Sequence, residues 1–453
     1  LRVPALPPVA LPAVALLAGA LAGCAAPERS PAGSAVLITI DTWRADRFGA
    51  GGHPDVRTPH LDRFFRRSTQ FAEAYSPVPT TLASHASMLS GRWPSGHGVP
   101  RNGWPMPEDV SLLPERLPGF ARAAFVSSAA LHPDFGLGRG FEPYDFATPE
   151  SVARDQDWRP ASHTLERAAD WWRQAGPSRF LWVHLFEPHF PYRPAPVDFA
   201  LYDTGYVGPA DGSMDFLFAM WDDASLLPPE ARRHLEALYH AEITGLDRAL
   251  GSFLEEVWRE ERTLVVVTSD HGESLGEHGL RFKHGPHVYP GDVRVPLAVG
   301  GTAAFPPGVS GAMVRTLDVY GTILAALGGE PAAGTVSGDL ADWAAGGEGL
   351  PVFGEASMPW NVEVEGEWAN RYKQRVVRTP EWSLVDTPWS GSHSYHDRAR
   401  DWDELGSGAP PGPVARDLRG RLEEWSARPA HRVAPATVDP ALVERLEALG
   451  YVE

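Results

Sequence analysis

The chain has 453 residues, and 58 acidic against 40 basic side chains leave a formal net charge of −18, with 43% hydrophobic and 22% charged residues. This composition supports a folded core and excludes a wholly disordered or fibrous chain, while the acidic surplus excludes a general nucleic-acid binder, whose target phosphates require basic patches. The single cysteine, Cys24, excludes an intramolecular disulfide, a thiolate metal cluster and a thiol nucleophile in the folded part.

Residues 9–21 are apolar apart from Pro12 and Gly19, and Arg2 is the only charge before them. The stretch is shorter than the roughly 20 residues that span a bilayer and suits the core of a signal peptide. It ends in Leu21-Ala22-Gly23-Cys24, which resembles the bacterial lipobox, where the cysteine becomes the lipidated first residue. Residues 1–24 are therefore predicted as a lipoprotein signal peptide with Cys24 as lipidation site, and residues 25–34 as a tether. The expected location is the bacterial cell envelope, lipid-anchored and facing the periplasm or exterior, with the membrane reached through the lipid.

Residues 35–40 (AVLITI) form a solid apolar run without alternation, the pattern of a strand buried on both faces of a parallel sheet. Residues 180–185, 264–268 and 297–299 repeat it. Between them, residues 229–259 place Leu235, Leu238, Tyr239, Ile243, Leu246 and Leu250 at helical spacing. Alternating strands and helices predict an α/β fold with a central, mostly parallel sheet flanked by helices. Ligands in such sheets bind at the carboxyl ends of the strands. The first run ends at Asp41, the second carries His184 and leads to Glu187 and His189, and the third leads to Asp270-His271-Gly272-Glu273. Asp41, Asp270 and His271 thus supply hard oxygens and one imidazole to a shared rim. That set suits one divalent metal, Ca²⁺ foremost, with Mg²⁺, Mn²⁺ or Zn²⁺ as alternatives.

Several segments then resemble the sulfatase family of the alkaline phosphatase superfamily. They are Asp41-Thr42-Trp43-Arg44-Ala45-Asp46, Thr58-Pro59-His60-Leu61-Asp62, residues 80–91 (TTLASHASMLSG), residues 186–192 (FEPHFPY) and residues 269–279 (SDHGESLGEHG) with Lys283-His284 and Arg294-Val295-Pro296-Leu297. They arrive in the family's order and cover most of residues 35–328. The resemblance implies the alkaline phosphatase-like sandwich and a sulfuric or phosphoric ester hydrolase. It implies a metal on Asp41, Asp270 and His271, the nucleophile at Thr81, a substrate-oxyanion lysine at Lys283, and a substrate or leaving-group histidine at His189. His85 stands in place of the family's usual arginine, and Thr42 where many members have a second Asp. The family's Gly-Lys-x-His element has no clear counterpart in Ala124-Phe125-Val126-Ser127-Ser128.

The nucleophile position is usually a Cys or Ser converted to formylglycine, whose hydrate attacks with one hydroxyl and expels sulfate with the other. A threonine has one side-chain oxygen and a methyl on the same carbon, so formylglycine is not expected here. Thr81 instead attacks once its hydroxyl is activated, forming a covalent ester that water must cleave. His85, His189, Lys283 and His284 are the candidates for charge neutralisation and water activation. Thr80 is the rival nucleophile, His278 is read as structural, and Glu273 as a residue orienting the metal ligands.

Residues 352–355, 374–378 and 382–385 read as short β segments. They resemble the small antiparallel C-terminal sheet of sulfatases, with Tyr395-His396-Asp397 as a turn. Residues 417–427 and 440–449 read as amphipathic helices, and residues 328–349 as the join between a catalytic domain (35–335) and a C-terminal subdomain (350–453). The substrate pocket is expected to draw on Trp93, Trp104 and residues 198–223. The expected function is metal-dependent hydrolysis of sulfate or phosphate esters carried by a small molecule, glycan or lipid. The alternatives are a phosphodiesterase, phosphonate hydrolase or phosphoryl transferase, and a catalytically silent binding lipoprotein of the envelope.

Overall fold

The computed structural model describes residues 32–146, 158–259, 262–364 and 366–434, together with Leu442, Glu444, Leu446 and Glu447. The predicted signal peptide, Cys24, most of the tether and most of the helix at 440–449 lie outside the described residues. No helix among the described residues is long and apolar enough to cross a membrane.

Eight strands, β1 (Ser34–Ile40), β2 (Thr69–Tyr75), β3 (Ala121–Phe125), β4 (Tyr144–Asp145), β5 (Arg179–Leu185), β6 (Thr263–Ser269), β7 (Leu297–Gly300) and β8 (Gly308–Arg315), form one sheet in the order 4-3-5-1-6-7-2-8. Every residue of β1, β5 and β6 is buried, which is why these runs carry no polar alternation. Successive side chains still point to opposite faces. Leu37, Trp182 and Val266 join a core with Leu82, Ala86 and Leu89 of the Thr81–Ser90 helix. Ile38, Val183 and Val267 join the other core with Leu235, Ile243 and Leu250 of the Pro229–Arg259 helix.

The sheet is mostly parallel as expected, and β7 is its exception, running antiparallel to both β6 and β2. No crossover helix intervenes between β6 and β7. The chain lingers on the carboxyl rim for residues 270–296 and re-enters the sheet from that rim, so it must run backward.

The second sheet is antiparallel, with β9 (Val352–Glu355), β10 (Arg375–Arg378), β11 (Trp382–Thr387) and β12 (Ser392–Asp397) in the order 12-11-10-9. Tyr395-His396-Asp397 lies inside β12, paired with residues 382–384 of β11, and is not a turn. The Gly412–Ser426 helix packs on this sheet through Leu418, Leu422 and Trp425. Trp93 packs into the same cluster, edge-on to Trp425 at 5.7 Å between ring centroids, and therefore does not line a substrate pocket. Residues 328–349 are more than a spacer: Gly338 N–H donates to Asp318 Oδ1 (2.8 Å) and Leu340 is buried in the main core. Both sheets belong to one compact unit. Arg378 of β10 makes a bidentate pair with Glu404 (2.8 and 2.6 Å) and donates to the Val288 carbonyl (2.6 Å), tying the small sheet to the segment that leaves the large one.

Candidate active site

The sheet register sets the site. Ile40 pairs with Leu185 on one side and Ser269 on the other, so Asp41 and Asp270 step off adjacent strands at the same level. Immediately after Asp41 the backbone turns into the left-handed region at Thr42 (φ 53°). The turn is pinned by Thr42 N–H donating to Asp270 Oδ1 (3.3 Å) and Trp43 N–H donating to Ser269 Oγ (3.1 Å). From the Pro229–Arg259 helix, the Tyr239 hydroxyl donates to the Thr42 carbonyl (2.7 Å) and accepts from Arg44 N–H (3.2 Å).

Ligand atoms of Asp41, Asp270 and His271 lie within 4.8 Å of one another, and all three side chains are fully buried. His271 Nδ1 lies 2.9 Å from the Gly272 carbonyl, which can only accept, so Nδ1 carries the proton and the Nε2 lone pair is left exposed to the cluster. That lone pair faces Asp41 Oδ1 at 3.7 Å and Asp270 Oδ2 at 3.6 Å. Asp270 Oδ2 has no hydrogen-bond partner although it is buried. Burial, then the neighbouring Asp41 charge, raises the Asp270 carboxyl above its ordinary range. Two carboxylates and an imidazole lone pair converging in a buried site, with Asp270 Oδ2 unpartnered, fit a divalent cation.

Thr81 begins a ten-residue helix, all of it buried. Its Oγ1 stands 3.4 Å from His271 Nε2. The next amide, Leu82 N–H, is satisfied by Asn102 Oδ1 at 2.8 Å. Thr80, the rival, is the residue before the helix, and its buried Oγ1 has no hydrogen-bond partner. His85 occupies the next turn. Its Nδ1–H donates to the Thr81 carbonyl (2.7 Å), and its Nε2 accepts from the Thr39 hydroxyl (2.9 Å), which in turn accepts from Trp182 Nε1 (3.0 Å). Both His85 nitrogens are therefore engaged by protein groups, and burial drives its pKa down to about 3. This geometry anchors the start of the helix.

His189 donates Nδ1–H to the Phe190 carbonyl (2.5 Å) and packs against His284, whose ring lies 4.4 Å from that of His271. Burial lowers His189 to about 4, against the pull of Asp41, so it is neutral at pH 7. Glu273 contacts the His284 ring (Oε1 to Nδ1, 3.3 Å), which lies 4.4 Å from that of His271. Lys283 is half-buried with Nζ 4.7 Å from the centroid of Trp221. Trp221 belongs to the expected 198–223 region. His278 stacks on Tyr289 at 3.5 Å, away from the cluster.

His184 belongs here and was not among the predicted site residues. Its Nε2 is 3.6 Å from Asp41 Oδ2, it groups with His85 and Asp270, and neither ring nitrogen has a hydrogen-bond partner. Burial lowers its pKa to about 4, leaving a neutral imidazole able to ligate. The signal for it is the lone polar residue inside the otherwise apolar run of residues 180–185.

A mostly parallel sheet with carboxylates and imidazoles gathered at its carboxyl rim, beside a small antiparallel sheet, defines an alkaline phosphatase-like α/β fold. Residues 34–329 match the family described as Sulfatase, and the chain belongs to that family. Among its relatives, the ulvan-active sulfatase of Formosa agariphila is 25% identical over 294 residues. That match takes in 58% of this chain and 55% of that enzyme, so the chain spans little more than half of this relative's length. The same fold is seen in an enzyme solved with its substrate D-glucosamine-2-N,6-O-disulfate (TM-score 0.71, 17% identity, 88% of this chain and 97% of that one). It is also seen in the phosphonate monoester hydrolase of Agrobacterium radiobacter (TM-score 0.68, 19% identity, 87% and 95%).

Proposed function

We propose that the chain hydrolyses sulfate or phosphate-type esters, with the Thr81 hydroxyl as nucleophile. The observation that carries this reading is the 3.4 Å approach of Thr81 Oγ1 to His271 Nε2, within the Asp41–Asp270–His271 cluster. Asp41, Asp270 and His271 would hold a divalent cation, which when bound supplies positive charge that acidifies a hydroxyl and polarises an ester. Carboxylates suit Ca²⁺, and His184 beside Asp41 adds a second imidazole that brings Zn²⁺ and Mn²⁺ into the set.

The chain's own groups account for the rest. Thr81 sits at the amino end of its helix, where the helix dipole favours an anionic oxygen or an anionic ester group. His85, through the Thr81 carbonyl, fixes the backbone that presents the hydroxyl. His189, neutral and oriented by the Phe190 carbonyl, accepts the proton of the attacking water or returns one to the leaving oxygen. Lys283 carries the charge for the ester's equatorial oxygens. Attack by Thr81 forms a bond from its oxygen to sulfur or phosphorus and breaks the bond to the leaving oxygen, which takes up the proton that the Thr81 hydroxyl gives up and departs as the alcohol. Water then adds to the same centre, breaks its bond to the Thr81 oxygen and passes one proton to that oxygen, which restores the hydroxyl and releases sulfate or the phosphorus acid.

The single oxygen of Thr81 favours a second reading within this one, phosphoryl or phosphonyl transfer, because covalent intermediates cleaved by water are ordinary in that chemistry. As part of the same reading, Cys24 anchors the enzyme to the cell envelope. Loss of fatty-acid label in Cys24→Ser tests the anchor. A panel of 4-nitrophenyl sulfate, phosphate, phosphodiester and phosphonate esters, with and without chelator, tests the chemistry. Turnover of at least one ester, abolished in Thr81→Ala, is the expected result. Full activity in that variant refutes the nucleophile, and no turnover under any metal leaves a binding lipoprotein.

A further inference from the structure

Lysine is rare in this chain: of its 40 basic side chains only Lys283 and Lys373 are lysines, the rest being arginine. Lys373 is fully buried and pairs with Glu363 at 2.8 Å, whereas Lys283 is half-buried beside His284. An ammonium is a compact point charge on a flexible four-carbon stem, so its use in a site depends on what fixes it. We propose that Trp221 is the positioning residue for Lys283: its indole face seats the ammonium, so that the charge meets the ester's oxygens already placed. The inference rests on the reading of the centre as an ester hydrolase in which Lys283 faces those oxygens.

The backbone of Lys283 is held first. Phe282 lies in the left-handed region (φ 46°) with its ring buried, and the Lys283 carbonyl accepts from Ser274 N–H (3.3 Å), four residues after Asp270. Lys283 Nζ then lies 4.7 Å from the centroid of the Trp221 ring, within the range of a cation–π contact. The indole is itself fixed. Trp221 lies in the last turn of the Met214–Asp222 helix, which buries Phe216, Leu217 and Met220. Its Nε1–H donates to the Arg281 carbonyl (2.7 Å), and Arg281 Nη2 donates back to the Trp221 carbonyl (2.8 Å). This two-way clasp ties the ring to the segment that carries the ammonium, two residues before Lys283.

The same ring reaches the reacting centre. Phe218 and Phe190 meet it edge-on at 5.3 and 5.6 Å between centroids. Phe190 packs on His189 (4.2 Å) and stacks on His284 (5.6 Å), whose ring is 4.4 Å from that of His271. Burial first, then the neighbouring His271, His189 and Lys283, holds His284 well below the ordinary imidazole range, so the Lys283 charge is felt at the centre. One aromatic wall thus backs the ammonium and both histidines. A π face holds a cation while leaving its charge intact for an anionic ester.

The test starts from the ester that the full chain cleaves best. Trp221→Leu, which keeps apolar bulk and removes the ring, should lower kcat/KM roughly five- to tenfold, the range of a lost cation–π contact. Trp221→Phe, which keeps an aromatic face, should lose less, and circular dichroism should show each variant folded. In a Lys283→Met background Trp221→Leu should cost nothing further, because the ring acts through the ammonium. An unchanged kcat/KM in Trp221→Leu, or the same loss in both backgrounds, overturns the proposal. The scarcity of lysine also allows a direct reading. Reductive methylation with ¹³C-formaldehyde keeps the charge and labels Lys283, whose signal is identified by its absence in Lys283→Met. That methyl signal should lie upfield in the full chain, under the indole ring current, and move downfield in Trp221→Leu. A signal that stays in place overturns the seat. If the full chain cleaves no ester, the hydrolase reading fails and the methyl signal alone decides the seat, as it does if Lys283→Met leaves no rate to compare.

Discussion

Thr81 Oγ1 and His271 Nε2 stand 3.4 Å apart, joining the first turn of a buried helix to the segment that leaves β6. Because His271 Nδ1 is committed to the Gly272 carbonyl, Nε2 can only accept, so the Thr81 hydroxyl directs its proton toward the cluster. The contact links the predicted nucleophile to the predicted ligand set through a single polar approach.

From this follows a clean separation of roles. Thr81→Ala should abolish turnover while leaving cation affinity within a few-fold of the parent, and Thr81→Ser should retain activity because the oxygen stays in place. Thr80→Ala should retain it too. Steady-state kinetics beside calorimetric titration of Ca²⁺, Mn²⁺ and Zn²⁺ checks all three variants, and loss of activity in Thr80→Ala alone would reverse the assignment.

Removal of the cation should silence the enzyme and expose the cost of the cluster. With Asp41, Asp270 and the His271 lone pair facing one another, a bound cation relieves their repulsion. It should raise the unfolding free energy by about 2.7 kcal/mol at a hundredfold excess over Kd, and the melting temperature with it. Asp270→Asn should erase this shift. His184→Ala should weaken cation affinity by roughly ten- to a hundredfold, the range for groups supporting a metal site. Differential scanning calorimetry across a metal titration reads both effects.

The pair Arg378–Glu404 should be a stability determinant remote from the chemistry. Both side chains are buried, at 1% and 0% exposure, so Arg378→Met strands a carboxylate and should cost about 3–5 kcal/mol. Replacing both partners by apolar residues should recover most of that. Urea unfolding of the single and double variants measures the difference, and a single variant within 1 kcal/mol of the parent would count against it.

Glu242 should make stability fall with rising pH. Burial, and then the nearby Glu187, raises its carboxyl from 4.5 to about 8, although Arg193 N–H donates to it. The folded state therefore holds a proton that the unfolded chain has released, and the stabilisation is full below about pH 4.5 and lost as pH passes 8. Glu242→Gln should match the parent near pH 4.5 and exceed it at pH 9. Thermal melts over that range test the sign, and a gap that shrinks with rising pH would contradict it.

Much of this architecture is legible along the chain. Residues 35–40, 180–185 and 264–268 announce buried parallel strands because both of their faces are covered and no polar alternation is needed. The acids at their ends stand out because each interrupts an apolar run. The long helix at Pro229–Arg259 shows itself by period. The direction of β7 is hidden, since three apolar residues look alike whichever way they run, and only the rim-bound path of residues 270–296 reverses them. Trp93 misleads for a similar reason: an aromatic near a motif has no address until its packing partners, Trp425 and Phe353, are known.

What the sequence by itself determined is the inventory: apolar strands, the acids and imidazoles at their ends, and a threonine where the helix begins. Those follow from local pattern, because burial dictates which residues a strand or helix face can carry. Only the tertiary structure decided which of these groups meet. The register that sets Ile40 level with Ser269 brings Asp41 to Asp270. The same register places His184 of β5 beside Asp41, and folding the Thr81 helix across the rim turns His85 inward to hold it. Proximity between residues some two hundred positions apart depends on strand pairing and helix packing, which no short window of sequence contains.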